Sequence, residues 1–335
     1  MTTLPFIIRQ ARPGDAVAIT DLVNRVFAAE FEHYMPKSIA WWRWKYAENP
    51  CGSRILVAED AEGRLVGHYA GSLLEVRAEG ARFDFAQSVD TCVDASTRRG
   101  LKNPGLFVRM AQAYESTYAG EGKVAVMYGL PIPNAYRVGA RFMDYWMLRA
   151  QAAMILRGRG KLGPADSSVE AVPLADFEDD VQRLAERARP AHPMAGRRDG
   201  AWLRWRFPVL DGDPYRRIGI RDRRDGTLRG YAVLRRAHFV GRDIAVLLDW
   251  LCDPTDAAAL GGIAGALADF AAAQGLRESV LLCAPTSADF PRLVDLGFQV
   301  EPSLYVLVGR PFHRELTPAY LRAKWHYTLA DLDVI

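Results

Sequence analysis

A basic, glycine-containing segment follows a predicted strand and precedes a predicted helix. It carries Arg98, Arg99 and Lys102 together with Gly100 and Gly105. The first N–H groups of a helix have no partner inside the helix, and the helix dipole is positive at that end. Glycines let a ligand approach the backbone closely, and the basic side chains add positive charge. The segment predicts a site for a phosphate-bearing anion, and a basic turn that only caps the helix is the alternative.

Carboxylates lie on the strand before this segment and on the neighbouring strand. Alternate positions of the first strand place Asp84, Ala86, Ser88 and Asp90 on one predicted face. An ionised carboxylate can take the proton that an amine loses when it attacks an acyl carbon. Asp90 is the first candidate for this base, and Glu75 on the neighbouring strand is the second. A solvated carboxylate is the alternative interpretation of each.

Hydrophobic spacing and cap residues predict the elements that position these groups. Residues 6–9 form a strand, and an amphipathic helix follows. Ser38 can cap a tryptophan-rich helix that ends before Asn49, because the residue before proline avoids the helical region. Two hairpins turn at 60–63 and at 79–80. The next predicted elements are a helix over 104–118, a strand over 124–128, a turn over 129–133, a short helix from 134 and strands near 143–156.

The sequence contains an internal repeat. Residues 41–46 (Trp-Trp-Arg-Trp-Lys-Tyr) and 202–207 (Trp-Leu-Arg-Trp-Arg-Phe) share a pattern of tryptophans with basic and aromatic neighbours. Two further similarities occur in the same order, between 63–67 and 226–230 and between 139–142 and 295–298. Two copies of this length predict a tandem domain duplication, because solenoid repeats are several times shorter. Residues 157–168, rich in glycine, charge and proline, are the predicted linker.

The order of the elements and three motifs resemble the GNAT superfamily of N-acetyltransferases. The motifs are residues 87–93 (Gln-Ser-Val-Asp-Thr-Cys-Val), 97–101 (Thr-Arg-Arg-Gly-Leu) and 130–136 (Leu-Pro-Ile-Pro-Asn-Ala-Tyr). The resemblance implies an α/β fold of two tandem GNAT-like domains, each with a central mixed, mostly antiparallel sheet flanked by helices. The expected segments are an N-terminal domain with the acyl-CoA loop over 1–158, a degenerate C-terminal domain over 165–310 and a docked tail over 311–335.

The resemblance also implies the cofactor, acetyl-CoA, and an N-acyltransferase that transfers the acyl group directly to an amine in a ternary complex. Backbone groups of Thr91, Cys92 and Val93 would bond the pantetheine arm of coenzyme A. Amides of the following loop and helix start would hold the pyrophosphate. The other residues that the resemblance assigns to the cofactor are Arg98, Arg99, Gly100, Leu101, Lys102, Asn103, Gly105, Leu106 and Asn134.

The family's general acid is commonly a tyrosine on the helix after the Pro-Asn turn. Tyr136 fits that description, although the spacing places Arg137 at the family's usual tyrosine position. Asn134 is expected to cap the same helix and to touch the cofactor arm. The family's loop has the form (Gln/Arg)-x-x-Gly-x-(Gly/Ala), and the sequence departs from it whether Gly100 or Gly105 is the anchor. Which amides face the phosphate therefore stays open.

The second copy lacks a comparable anion site. Its equivalent segment, residues 251–262, has Asp253 and Asp256 where the phosphate would lie, and two carboxylates repel an anion. We therefore expect coenzyme A to bind only the first copy, while the second supports the structure or borders an acceptor pocket. In the aromatic tail, Asp331 or Asp333 can reach the acceptor, or the terminus is simply packed.

Composition and charge exclude several classes of protein. The chain has 43 basic and 40 acidic residues, and a net charge of +3 is no nucleic-acid signature. The four cysteines form no CxxC pair and the six histidines are scattered, so no metal site is predicted. The N-terminus lacks a secretory signal, and the apolar stretch 257–273 is rich in alanine and glycine, which predicts a packed helix. A cytoplasmic protein without membrane or nucleic-acid partners is expected, and the sequence does not give the oligomeric state.

Two rival functions remain open from the sequence. One is a scaffold that binds coenzyme A without chemistry, and the other is an acyltransferase whose acyl donor is a carrier protein. The tryptophans of residues 41–46 either line an acceptor pocket or pack into the core. No cysteine is positioned for an acyl-enzyme. The leading hypothesis is transfer to a small amine such as an amino sugar or a biosynthetic intermediate.

Overall fold

The computed structural model describes residues 6–97, 105–209 and 213–333. These residues form a mixed α/β fold, which confirms the predicted class. The strands are β1 (Ile7–Gln10), β2 (Ser53–Glu59), β3 (Leu65–Ala78), β4 (Ala81–Val93), β5 (Val124–Gly129), β6 (Trp146–Arg157), β7 (Val169–Pro173), β8 (Met194–Gly196), β9 (Arg216–Asp222), β10 (Leu228–Phe239), β11 (Arg242–Cys252), β12 (Glu278–Leu282), β13 (Gln299–Pro311) and β14 (Trp325–His326).

Several helices lie close to their predicted positions. They are α1 (Ala16–Glu30), α2 (Ile39–Trp42), α3 (Leu106–Tyr118), α4 (Pro133–Phe142), α5 (Asp179–Ala188), α6 (Gly200–Arg206), α7 (Ala257–Ala273), α8 (Asp289–Asp295) and α9 (Pro318–Lys324). Ser38 caps α2 as predicted, since its hydroxyl accepts a hydrogen bond from Trp41 N at 3.0 Å. The helix then continues as a π-helical turn, Arg43–Ala47, which carries Tyr46.

The chain divides into two compact units. The first comprises Met1–Glu75, Phe83–Leu148 and Leu307–Pro318, and the second comprises Val76–Arg82, Arg149–Val306 and Ala319–Ile335. These bounds differ from the predicted segments 1–158 and 165–310, because part of β6 belongs to the second unit and part of β13 to the first. Composition marks exposed loops, and it gives no signal where a continuous strand passes from one unit to the next.

The first unit contains a mixed sheet. β1, β2 and β3 pair antiparallel, β4 and β5 pair parallel, and the end of β13 pairs antiparallel with β5. One core cluster includes Met110 and Tyr114 of α3. The other includes Ile19 and Leu22 of α1, with Trp41 partly buried against it. Helices therefore cover both faces of the sheet around the predicted site.

The second unit contains a sheet in the order β6, β12, β11, β10, β9 and β7, in which β11 and β12 pair parallel. α7 spans Ala257–Ala273, the stretch predicted as a packed helix, and buries Ile263 and Leu267 in the core of this unit. Within the described residues, no helix is long and apolar enough to cross a membrane. A short ladder joins β8 to β14 and to the end of β3.

Candidate active site

A bulge interrupts β4 at Asp90. Ala86 and Val93 belong to the core cluster that contains α3, whereas Val89 and Cys92 belong to the cluster that contains α1. In a regular strand, residues separated by an odd number of positions point to opposite faces, so one extra residue must lie between these pairs. Asp90 has a φ of 48°, in the left-handed region that aspartate tolerates better than most residues.

This bulge corrects one prediction. Strict alternation along the strand predicts Asp90 on the same face as Ser88. The carboxylate instead meets Tyr46, a member of the α1 core cluster. A one-residue bulge moves every following side chain to the opposite face, and no local residue pattern announced it.

Three side chains hold Asp90. Lys37 Nζ lies 2.7 Å from Asp90 Oδ1, and the Tyr46 hydroxyl donates to Oδ2 at 2.6 Å. His68 Nδ1 donates to the main-chain oxygen of Asp90 at 2.9 Å. The Lys37 ammonium also lies 3.7 Å from the centroid of the Trp41 ring. The Asp90 side chain is 7% exposed, so it is a partly desolvated carboxylate with a paired cation.

The two parallel strands separate next to this bulge. In the described register, β4 and β5 pair from Asp84 to Gln87, and β4 then continues to Val93. This last part of β4 includes the predicted residues Thr91, Cys92 and Val93. Backbone N–H and C=O groups at a strand edge bind an extended partner that carries amides. The pantetheine arm of coenzyme A is such a partner.

The helix after this strand begins as an anion site requires. Gly105 is the N-cap of α3, and no side chain caps it among the described residues. Leu106 opens the helix, whose first N–H groups carry the positive end of the dipole. The predicted residues Arg98 to Asn103 lie outside the described residues. The strand edge and the helix start fit an acyl-CoA in its pantetheine arm and its pyrophosphate.

Comparison with known proteins agrees with this geometry. Residues 7–142 match the family model of the acetyltransferase (GNAT) domain. Residues 7–142 belong to the GNAT superfamily. Members of this superfamily use acetyl-CoA or other acyl-CoA donors, which makes acyl-CoA the cofactor of this domain. The resemblance stated from the sequence motifs is thus confirmed for the first unit.

Solved structures of GNAT-type proteins share the fold. A probable N-acyltransferase from Enterococcus faecalis aligns with a TM-score of 0.68 at 14% identity, over 92% of this chain and 73% of its own. A GCN5-related N-acetyltransferase from Anabaena variabilis aligns with a TM-score of 0.66 at 13% identity, over 92% and 73%. Saccharomyces cerevisiae N-myristoyltransferase with bound myristoyl-CoA aligns with a TM-score of 0.56 at 11% identity, over 92% and 83%. No curated protein matches by sequence.

Glu75, the second candidate for the base, lies elsewhere in the GNAT domain. It is on β3 near Asp84, and the charge of Glu75 adds to burial in raising the pKa of Asp84. The β3 residue that contacts Asp90 is His68, and seven residues along a strand separate it from Glu75 by about 23 Å. Glu75 and Asp90 therefore do not share one site.

The start of α4 corrects the predicted role of Asn134. The N-cap of α4 is Ile132, with Pro133 as the first helical residue, so the exposed Asn134 already lies inside the helix. Proline fits the first helical position because its φ is fixed and it needs no N–H partner. Tyr136 lies half-buried in the first turn, on the helix that directly follows the point where β4 and β5 separate.

Several polar groups of the site were not predicted. Neither Lys37 nor His68 belongs to a sequence motif that indicates catalysis. The sequence feature that distinguishes Lys37 is its position directly before Ser38, the predicted helix cap next to the repeated tryptophans. On the opposite face, the hydroxyls of Tyr69 and Tyr145 lie 3.0 Å apart. Burial raises the pKa of Tyr145, so its hydroxyl stays protonated near Ser88 of β4. In sequence both tyrosines are indistinguishable from ordinary core residues.

Side chains of the second unit occupy the start of α7, the segment that the predicted repeat aligns with the anion site. Asp256 caps α7 by accepting a hydrogen bond from Ala259 N at 2.9 Å, and Arg229 pairs with it at 2.7 Å. The Asp253 carboxylate accepts from the main-chain N of Thr255 at 2.8 Å. A carboxylate that occupies the helix start excludes a phosphate there by position and by charge.

Asp331 also forms an ion pair within the second unit. Its carboxylate lies 2.6 Å from Arg198, and its side chain is fully buried. Trp325, Tyr327 and Leu329 of the same tail are each 1% exposed. Of the two interpretations of the tail, packing into the protein therefore applies to this part. Asp331 has no access to an acceptor.

Proposed function

We propose that the protein is an acetyl-CoA-dependent N-acyltransferase whose catalytic centre is the bulge of β4. One observation carries the proposal: Asp90, whose side chain is 7% exposed, lies at the bulge, beyond the part of β4 that pairs with β5 and directly before Thr91. A carboxylate there lies beside the predicted position of the thioester. Acyl-CoA supplies an activated acyl group for an amine when it is bound.

Asp90 would act as the general base. Lys37 and Tyr46 each occupy one lone pair of the carboxylate, and each oxygen retains another. As the amine nitrogen bonds to the acyl carbon, its proton passes to a carboxylate oxygen of Asp90. The bond from the acyl carbon to sulfur breaks, and Tyr136 is the proposed donor of a proton to the departing sulfur. The products are an amide and coenzyme A.

The surroundings of Asp90 favour a small acceptor. Trp41 and Trp42 are partly buried against the core cluster of α1, and each lies within 6.0 Å of the Tyr46 ring, measured between ring centroids. Aromatic faces bind the apolar faces of sugars and of ring-containing amines by close packing. An amino sugar or another small amine of biosynthesis is the proposed acceptor class.

Two measurements test the proposal. Thermal shift with coenzyme A and with acyl-CoAs of increasing chain length should show stabilisation, because a ligand that binds only the folded state raises its stability. Release of the free thiol should then follow acetyl-CoA addition only when an accepted amine is present. Binding without turnover across a broad panel of amines would favour the scaffold. An absence of any coenzyme binding would overturn the proposal and favour a carrier-protein donor.

A further inference from the structure

A cavity of about 290 Å³ lies within the second unit. His192, Trp250 and His326 form part of its lining, and Arg82 and Arg189 are among the basic residues around it. The GNAT chemistry proposed for the first unit uses none of these side chains. The two imidazoles are of interest because they come from segments far apart in the sequence.

A third potential ligand lies beside the two histidines. His192, Asp289 and His326 each offer one ligand atom, and these three atoms lie within 4.8 Å of one another. The residues are 6%, 1% and 9% exposed, respectively. His192 follows α5, Asp289 opens α8 and His326 lies on β14, so three distant segments meet here.

Neighbouring side chains orient two of these groups and leave one atom of each available. Ser287 Oγ lies 3.3 Å from His326 Nδ1, which leaves Nε2 of the ring as the other potential ligand atom. Trp250 Nε1 donates to Asp289 Oδ2 at 3.2 Å. Asp289 Oδ1 is buried and has no hydrogen-bond partner among the described residues. In metal sites, hydrogen-bond partners of this kind fix the orientation of the ligands.

Charged groups of both signs lie around the three potential ligands, and a neutral imidazole and an ionised carboxylate are the forms that bind a metal ion. The other charged groups that act on these three are Arg198, Asp253 and Arg292. Arg198 is already neutralised by its buried carboxylate partners.

We propose that His192, Asp289 and His326 bind one divalent first-row transition-metal ion, with zinc as the reference ion. Two imidazoles and one carboxylate form a nitrogen and oxygen donor set that zinc accepts at about 2.0–2.2 Å. Tetrahedral ligands at that distance lie about 3.3 Å apart, so side-chain rotations must draw the three atoms together. A fourth position would face the cavity and take water or an anion.

The ion would join the tail to the body of the second unit, because His326 belongs to β14. It would also give Asp289 Oδ1 the partner that the described residues do not supply. Without an ion, the cluster is a buried polar group that Trp250 and Ser287 hold by hydrogen bonds within the described part of the chain. A metal site and an ion-free polar cluster differ in one measurable property: only the metal site retains one equivalent of metal ion per chain.

The test uses the full chain after treatment with a chelator. Wild type should retain one equivalent of zinc after dialysis, and cobalt(II) in its place should give the intense visible absorption of a four-coordinate ion. His192→Gln and Asp289→Asn should each weaken zinc binding by more than the roughly 10 to 100-fold typical of outer-sphere changes. His238→Gln, at an exposed histidine, is the matched control and should bind as wild type does.

Several results would overturn the metal site. They are wild type that retains no zinc, equal retention by Asp289→Asn, or a cobalt spectrum typical of six water-like oxygen ligands. Circular dichroism checks that each variant is folded. If Asp289→Asn does not fold, the wild-type stoichiometry and the cobalt spectrum still decide the matter.

Discussion

The ammonium of Lys37 lies 2.7 Å from Asp90, and the second unit repeats this pair as Arg198 and Asp249 at 3.0 Å. Each cation directly precedes a helix-capping residue, and each lies over the first tryptophan of the repeated motif, at 3.7 Å and 4.5 Å from the ring centroid. The two caps, Ser38 and Asp199, accept hydrogen bonds from the main-chain N–H groups of these tryptophans at 3.0 Å. These repeated contacts support the predicted duplication.

The two carboxylates differ in what surrounds them. Asp249 accepts hydrogen bonds from Thr328 at 2.6 Å and from Tyr231 at 2.7 Å, in addition to its ion pair, and its side chain is fully buried. The Asp90 side chain keeps some exposure and has fewer polar partners. A carboxylate whose lone pairs are all used has no capacity for an incoming proton. The second pair is therefore structural.

Arg198→Leu should strongly destabilise the protein. The guanidinium lies between the buried carboxylates of Asp249 and Asp331, and its removal leaves both without a cation. Breaking a buried pair in this way costs about 3–5 kcal/mol in the free energy of unfolding. Urea denaturation measures the change. Arg224→Leu, at a side chain that is 89% exposed, is the control and should change the free energy by less than about 0.5 kcal/mol. Similar losses in both variants would contradict the structural role.

Coenzyme A should bind through the loop that precedes α3. Reversing Arg98 and Arg99 together to glutamate replaces two attractive charges with two repulsive ones beside a pyrophosphate, so affinity should fall severely. Asp253→Ala in the second unit should leave affinity unchanged. Isothermal titration calorimetry compares the two. A normal dissociation constant in the double variant would show that the phosphate binds elsewhere.

Asp94 should make stability depend on pH at the end of β4. Hydrogen bonds from the main-chain N and the hydroxyl of Ser96, and then the Arg25 guanidinium, hold the pKa of Asp94 at about 2, below its ordinary 3.8. A lowered folded-state pKa stabilises the protein above pH 3.8, and this stabilisation is lost as pH falls towards 2. The difference between these two pKa values corresponds to about 2 kcal/mol in the free energy of unfolding.

Asp94→Asn keeps the side-chain acceptor and removes the charge. Its free energy of unfolding should lie below that of wild type by this amount at pH 7, and the gap should close as pH falls below about 4. Urea denaturation at a series of pH values follows the gap, with Asp295→Asn at an exposed position as the control. A gap that stays constant with pH would show that the loss is not electrostatic.

Local signals predicted much of the fold. The Ser38 cap, the turn at Glu79 and Gly80 with its two positive φ angles, and the packed helix α7 each depend on residues close together in sequence. The GNAT resemblance followed from such elements in order. The bulge at Asp90 escaped prediction because it depends on how β4 packs between two cores, and Asp90 follows a run that alternates regularly.

Groups assembled across long sequence distances were also beyond prediction. Lys37 meets Asp90 only because the capped helix start lies over β4. His192 and His326 are far apart in sequence, yet their ring centroids lie 4.0 Å apart in the second unit. The positions of such groups follow from strand order and register, which no single segment specifies.

Asp90→Asn tests the chemistry most directly. The amide keeps the size of the side chain and still accepts the Tyr46 hydroxyl hydrogen bond, but it cannot take a proton from the acceptor amine. Turnover should fall by roughly 10²-fold or more, within the usual range for general acid–base catalysis. Coenzyme affinity should barely change, because the backbone of Thr91 to Val93 is unaltered.

The pH dependence separates a base from a structural residue. As pH rises, a growing fraction of the acceptor amine is already deprotonated, so the deficit of the variant should shrink. Asp84→Asn, on the same strand but outside the bulge, is the matched control and should keep wild-type turnover. Full turnover of Asp90→Asn at neutral pH would mean that a water chain takes the proton. An equal loss of coenzyme binding would assign Asp90 a structural role, since a general base contacts the amine and not the coenzyme.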